Sequence, residues 1–244
     1  MVRVQGKQET PAPLRADARR NRAQIIEAAR TLFVRIGPDV PMEEIARAAG
    51  VGVGTLYRRF PDREELIKAV SLDNFTRLAE LARRVEREEP DPAVALTTLL
   101  HSTLQMRLGI TMTAVSGRAY RAIQDSPSIV EHRDEVIAVA RRLLHRAQER
   151  GAIRPDIEIG DAVLALVLVS RLMPLADDEL SEMVFRRLFV LMMDGMRAAP
   201  GSTMPGRPVD YRDIEELRER GGFAGFGKLA PPGPSDADAS EQAR

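Results

Sequence analysis

Apolar residues recur at helical spacing through most of this chain. From about Ala18 they fall at Ile25, Ile26, Ala29, Leu32, Phe33 and Ile36, the one-faced stripe of an amphipathic helix. Gly37 and Pro38 then supply a C-terminal cap and a stop. Pro41 opens a second, short helix, with Glu43 and Glu44 at the positive end of its dipole and Met42, Ile45, Ala46 and Ala49 inward. A third short helix runs from about Val53 to Phe60 and is stopped by Pro61. Asp62 is placed to cap a long fourth helix through Leu66, Val70, Phe75, Leu78 and Leu81.

Beyond Pro92 the pattern predicts helices over Val94–Arg107, Thr111–Ile123, Pro127–Arg150, Ile159–Met173 and Glu179–Met196. Gly151 is the C-cap of the third of these, Asp156 or Glu158 opens the fourth, and Asp177 or Asp178 the last. No stretch alternates as a strand would. The expectation is an all-α fold. It has a basic arm over residues 1–17, a three-helix domain over 18–64 with a pair of short helices at 41–60, a larger helical domain over 65–198, and a disordered tail over 199–244 rich in Gly, Pro, Ser and Asp. A short charged piece in that tail, Tyr211–Arg220, has some helical character.

Composition narrows the chemistry. Aromatics are 4% of residues and Trp is absent, which again favours helix over sheet. There is no Cys, so disulfides, thiolate metal sites and cysteine nucleophiles are excluded. The histidines are His101, His132 and His145. His132 beside Glu131 and Glu135 reads as part of an exposed helix face, and so does His145; no metal site and no cofactor is expected. The formal net charge is zero, but the first stretch is basic, with Arg3, Lys7, Arg15, Arg19, Arg20, Arg22, Arg30 and Arg35 against Glu9, Asp17 and Glu27. That asymmetry fits contact with phosphate at one end. No apolar run spans a bilayer and the N-terminus lacks an apolar signal core, so the expected location is the cytoplasm, away from membranes.

Residues 41–60 read PMEEIARAAGVGVGTLYRRF. Two short helices joined at Gly50, Val51 and Gly52 make a helix-turn-helix. Gly50 can take the positive φ the turn needs, and Val51 plugs the space between the helices. Leu56 and Phe60, four residues apart, face inward. Gly52 stands just before the third helix, while Val53, Gly54, Thr55, Tyr57, Arg58 and Arg59 face outward. Thr, Tyr and Arg side chains bind phosphate oxygens, and a helix of this kind fits a major groove. Arg15, Arg19, Arg20 and Arg22 suit a phosphate-tracking first helix, and Arg47 a flanking contact. The alternating Gly50, Gly52 and Gly54 follow a helix rather than a strand, which excludes a dinucleotide fingerprint. No nucleophile or metalloprotease motif stands out, so no enzymatic function is expected.

The stretch EEIARAAGVGVGTLYRRFPDREELIKAV resembles the DNA-binding signature of the TetR/AcrR family of transcriptional regulators, over about Ala18–Val70. The resemblance implies that Thr55, Tyr57 and Arg63 grip phosphates and that Val53, Gly54 and Arg58 lie nearest the bases. Gly52 stands where the family usually has Ser, Arg59 where it has His, Arg63 where it has Lys, and Pro41 where it has Thr. The implied protein is a homodimeric, ligand-responsive repressor on an inverted-repeat DNA operator.

In the second half, His101, Gln105, Arg107, Thr113, Arg118 and Tyr120 are the candidate polar lining of a site for an unidentified small-molecule effector, with Met106 and Met112 as adaptable walls. AVLALVLVSRLM and LFVLMMDGM are apolar almost all round, more than a monomer's surface helices should be. Pairing with a second copy in a four-helix bundle would cover them. The alternatives are a helical carrier or enzyme without specific DNA binding, and an architectural DNA binder without a ligand.

Overall fold

The computed structural model describes residues 12–37, 39–106, 123, 126–172, 179–198 and 204–219. The described helices are α1 (Ala12–Arg35), α2 (Met42–Ala48), α3 (Val53–Arg59), α4 (Arg63–Glu88), α5 (Pro92–Gln105), α6 (Pro127–Glu149), α7 (Ile159–Leu172), α8 (Glu179–Met196) and α9 (Tyr211–Glu219). The only β pairing among the described residues is an isolated bridge between Ile153 and Arg197. The fold is all-α. The helix expected over Thr111–Ile123 and the caps expected at Asp177 or Asp178 fall outside the described residues.

Local chemistry explains the boundaries. Asp62 caps α4, its carboxylate accepting from Glu65 N–H at 2.8 Å. Asp91 caps α5, accepting from Ala93 N–H at 2.8 Å, so α5 starts two residues earlier than expected, at Pro92. Gly37, Gly50 and Gly151 follow α1, α2 and α6 with positive φ, as αL caps do. Asp156 opens no helix. It binds Arg154, and α7 starts instead with the Glu158 N–H donating to Asp161 at 2.9 Å.

α4 is the organising element. Its buried stripe runs from Leu66 to Val85, and it packs against α1 on one side and against α5 and α6 on another. The boundary expected between residues 64 and 65 therefore lies inside one continuous helix. α1 also begins earlier than expected, at Ala12.

Residues 204–219, expected in the tail, form a packed strap. Arg154 is 5% exposed and forks onto Asp156. Asp156 also accepts from Met204 N–H at 2.9 Å, which holds the strap's start. Val209 N–H donates to Asp161 at 3.1 Å, and Arg141 of α6 pairs with Asp210 at 2.6 Å. The Arg133 guanidinium lies over the Tyr211 ring, and Ile214 is buried. Charged pairs, a close backbone approach at Gly160 and only a few apolar side chains hold it, so the apolar pattern gives little sign of its docking. At Gly160 a Cβ would stand 2.1 Å from the Val209 carbonyl oxygen, inside van der Waals contact.

The strap's carboxylates are held in the charged form. The Arg207 fork and then the Asp210 N–H lower Asp213 to about 2, and the Arg154 fork and then the Met204 N–H hold Asp156 lower still. Depressed carboxylates contribute stability that is complete above their ordinary range and lost as pH falls through the folded value. Strap attachment should therefore be pH-independent near neutrality and weaken as pH drops from 3.8 towards 2, read as increasing protease cleavage within 204–219.

Gly→Ala inside a helix normally stabilises by up to about 1 kcal/mol. Gly160→Ala should do the opposite, lowering the melting temperature by the equivalent of about 1–3 kcal/mol, because the added carbon must displace the strap's backbone. A stabilised variant would contradict this packing.

Candidate nucleic-acid interface

The turn between α2 and α3 is built on Gly50, whose φ is +67°. Its N–H bonds the Arg47 carbonyl at 3.1 Å and the Val51 N–H bonds the Ala46 carbonyl at 3.0 Å, the paired closure of a Schellman-type end. Val51 is half-buried against the core, as a plug should be. Gly52 is the N-cap of α3 and offers no side-chain bond. Its carbonyl accepts from Thr55 and Leu56 N–H at 2.8 and 3.1 Å. Gly in place of Ser here costs only a few tenths of about 1 kcal/mol.

α3 is anchored by Leu56, fully buried, and by Phe60 at its C-cap, 3% exposed. The outer face then follows from the 3.6-residue period. Val53, Gly54, Tyr57, Arg58 and Arg59 are exposed, and Thr55 is half-buried. An added Cβ at Gly54 would touch nothing within 4 Å. Internal packing therefore does not require glycine there, and its effect is to leave the backbone open to an approaching partner. Arg58 Nη2 donates to Thr55 Oγ1 at 3.0 Å. That bond orients the guanidinium along the exposed face, and both groups can turn to phosphate or base edges when DNA is present.

The flanking cations differ in freedom. Arg47 is exposed at the end of α2. Arg20 is exposed and 3.8 Å from Asp17. Arg22 lies 5.4 Å from the Phe60 ring centroid, a cation–π contact tying α1 to the end of α3. Arg63, in the first turn of α4, is half-buried and donates to the Val40 carbonyl, which bridges the head's loop to the long helix. Arg15 lies in α1, with its side chain outside the described residues.

Of the expected effector residues, His101 and Gln105 are among the described residues. His101 of α5 sits between Phe185 and Phe189 of α8, 5.6 and 5.0 Å between ring centroids. Gln105, at the last turn of α5, is exposed and faces no interior. Arg107, Thr113, Arg118 and Tyr120 lie outside the described residues. His132 corrects a further expectation. It is half-buried rather than on an exposed face, and its Nδ1 is buried with no hydrogen-bond partner among the described residues. Ile129 and Val136, three residues before and four after, are buried on the same face of α6, and that spacing could have revealed it. His145 is exposed and pairs with Glu158 at 2.9 Å.

An exposed helix of this composition, held by a rigid turn and backed by a separate helical body, defines a helix-turn-helix transcription factor. Residues 25–70 match the family of bacterial regulatory proteins, tetR family. Residues 91–198 match the SbtR-like transcriptional regulator C-terminal domain. A TetR transcriptional regulator from Streptomyces coelicolor is 30% identical, with a TM-score of 0.55 over 73% of this chain and 99% of its own. A TetR transcription regulatory protein from Mycobacterium vanbaalenii is 32% identical, with a TM-score of 0.50 over 76% of this chain and 100% of its own. A helix-turn-helix-type transcriptional regulator of Staphylococcus aureus is 44% identical over 54 residues, 22% of this chain and 29% of that protein. The chain therefore spans less than a third of the curated relatives it matches. The protein belongs to the TetR family of DNA-binding transcriptional regulators, whose members are transcription factors rather than enzymes. No described helix is long and apolar enough to cross a membrane.

Tyr57 is 42% exposed and supports no core. Tyr57→Ala should weaken DNA binding by about 1–3 kcal/mol while changing thermal stability by no more than about 1 kcal/mol. Titration of a fluorescent duplex and a melting curve check both. A variant that unfolds, or whose melting temperature collapses while its affinity below that temperature is unchanged, would make Tyr57 structural.

Proposed function

We propose that this regulator is a homodimeric repressor that holds two copies of α3 on an inverted-repeat operator and releases it when a small molecule enters the helical body. The observation that carries the reading is an apolar surface on α7 and α8. Leu168, Leu180, Met183, Val190 and Leu191 are 48–65% exposed. Complete burial of such a side chain contributes roughly 1.5–3 kcal/mol, so a monomer forgoes about half of what these side chains can supply. A second copy, placing the same two helices against them across a two-fold axis, closes a four-helix bundle.

Symmetry then fits the DNA. Two recognition helices entering successive major grooves must be separated by roughly 34–36 Å, one turn of duplex. Val53, Gly54 and Arg58 meet base edges, while Thr55, Tyr57 and Arg63 hold phosphates, with Arg20, Arg47 and Arg59 adding phosphate contacts at the flanks. Arg63 reaches phosphate by exchanging its bond to the Val40 carbonyl.

The effector acts by population shift. A ligand that fits only one spacing of the heads biases the dimer towards it, and α4, which belongs to head and body alike, transmits the choice.

Leu191→Glu places a charge in the proposed interface while its own side chain is 64% exposed in the free chain. Sedimentation should show the wild type as a dimer and the variant as a monomer of unchanged helicity. Affinity for a two-site duplex should fall by two orders of magnitude or more, on the order of 3 kcal/mol, with single-site binding retained. A wild type that is monomeric at micromolar concentration contradicts the proposal.

A further inference from the structure

Glu27 and Arg30 of α1 and Asp73, Asn74 and Arg77 of α4 form one network across the contact between these helices. Arg30 is its centre, with 13% of its side chain exposed. Its Nε donates to Asn74 Oδ1 at 2.8 Å, and Asn74 is 2% exposed. Its two terminal nitrogens pair with Glu27 and Asp73. Arg77 closes the ring, with Nε 2.8 Å from Asp73 Oδ2 and Nη2 3.1 Å from Glu27 Oε2.

This arrangement fixes a geometry as well as joining two surfaces. A guanidinium is planar and rigid, and three acceptors on two helices hold its plane in one orientation. Sliding or rotating α1 against α4 breaks several bonds together and strands Asn74, a buried polar group whose partner would be lost. Apolar residues at the same positions could bind the helices as tightly without that angular requirement. The network's place along the chain matters too. Ile25, Ile26, Ala29, Leu32 and Phe33 of α1 are buried beside it. Leu66, Ile67 and Val70 of α4 precede it, Phe75 lies within its span, and Leu78 and Ala79 follow it. The network thus lies on α4 between the stretch that follows α3 and the stretch continuing towards α5.

We propose that the Arg30–Asn74 network is the joint that sets the angle of the DNA-reading head on α4, and with it the half-site spacing the protein accepts. Arg30, Asp73, Asn74 and Arg77 are positioning residues in this role, with no contact to DNA required of them. The inference rests on the dimeric reading above.

The test uses the full-length protein and duplexes carrying its half-site as an inverted repeat, with the central spacing changed by one and two base pairs. Two base pairs rotate the second half-site by about 70°. Wild type should lose affinity steeply, about tenfold or more at two base pairs. Arg30→Met should flatten that profile to within about threefold. Arg30→Lys, which keeps the charge and loses the fork, should flatten it too. Arg77→Gln alters a half-exposed residue that the fold does not need, and should give an intermediate profile. Simple destabilisation lowers binding to every duplex alike and leaves the profile's shape unchanged. Variant profiles that superimpose on the wild type's, after scaling, overturn the proposal. A wild type indifferent to spacing overturns the dimeric reading, and the proposal falls with it.

Discussion

One apolar stripe on α4 serves two packing jobs, and the rest of the structure depends on it. Leu66, Ile67 and Val70 lie in the stretch that follows the recognition helix, while Leu78, Ala79, Ala82 and Val85 continue along the helix that packs against α5 and α6. All belong to one contiguous buried cluster. Each large apolar side chain in it contributes on the order of 1.5–3 kcal/mol, so neither end of α4 can detach cheaply. A rearrangement in the body must therefore move the head or break packing, which makes a rigid helix the economical route for a signal. The charged ring around Arg30 adds direction to that route, since apolar contacts alone constrain angle weakly.

Two surfaces stay unsatisfied, and they differ in chemistry. α3 leaves hydroxyls and guanidinium groups exposed around a glycine that no packing demands. α7 and α8 leave large apolar side chains exposed instead. The first surface suits a polyanion, and its local cations explain how a chain with no net charge can bind one. The second suits a copy of itself. Held together by one chain, the two surfaces are what the proposed dimer on a symmetric duplex is built from.

The parts legible in the sequence are those governed by short-range periodicity. Leu56 and Phe60, four residues apart, fix which way α3 faces. Gly50 marks the turn and Asp62 the start of α4, because each satisfies a local backbone requirement. The apolar excess of α7 and α8 reads directly as surface needing cover. Of the strap over residues 204–219, the helical character of Tyr211–Arg220 is legible but its docking is not, because the anchors are ion pairs between residues far apart in sequence, such as Arg141 with Asp210, and a backbone approach over Gly160. Arg30 was counted among the basic head residues, yet its partners on α4 lie more than forty positions away. His132 reads as exposed from its charged neighbours Glu131 and Glu135, whereas Ile129 and Val136, at helical spacing, set its face.

The most direct test of the central claim is selection of duplexes from a random pool by the purified protein, freed of co-purified ligand, at near-physiological salt. A dimeric sequence-specific regulator should enrich an inverted repeat whose half-sites are separated by about one helical turn. Enrichment of no motif, with binding that disappears as salt rises, would leave only non-specific phosphate contact and contradict the account.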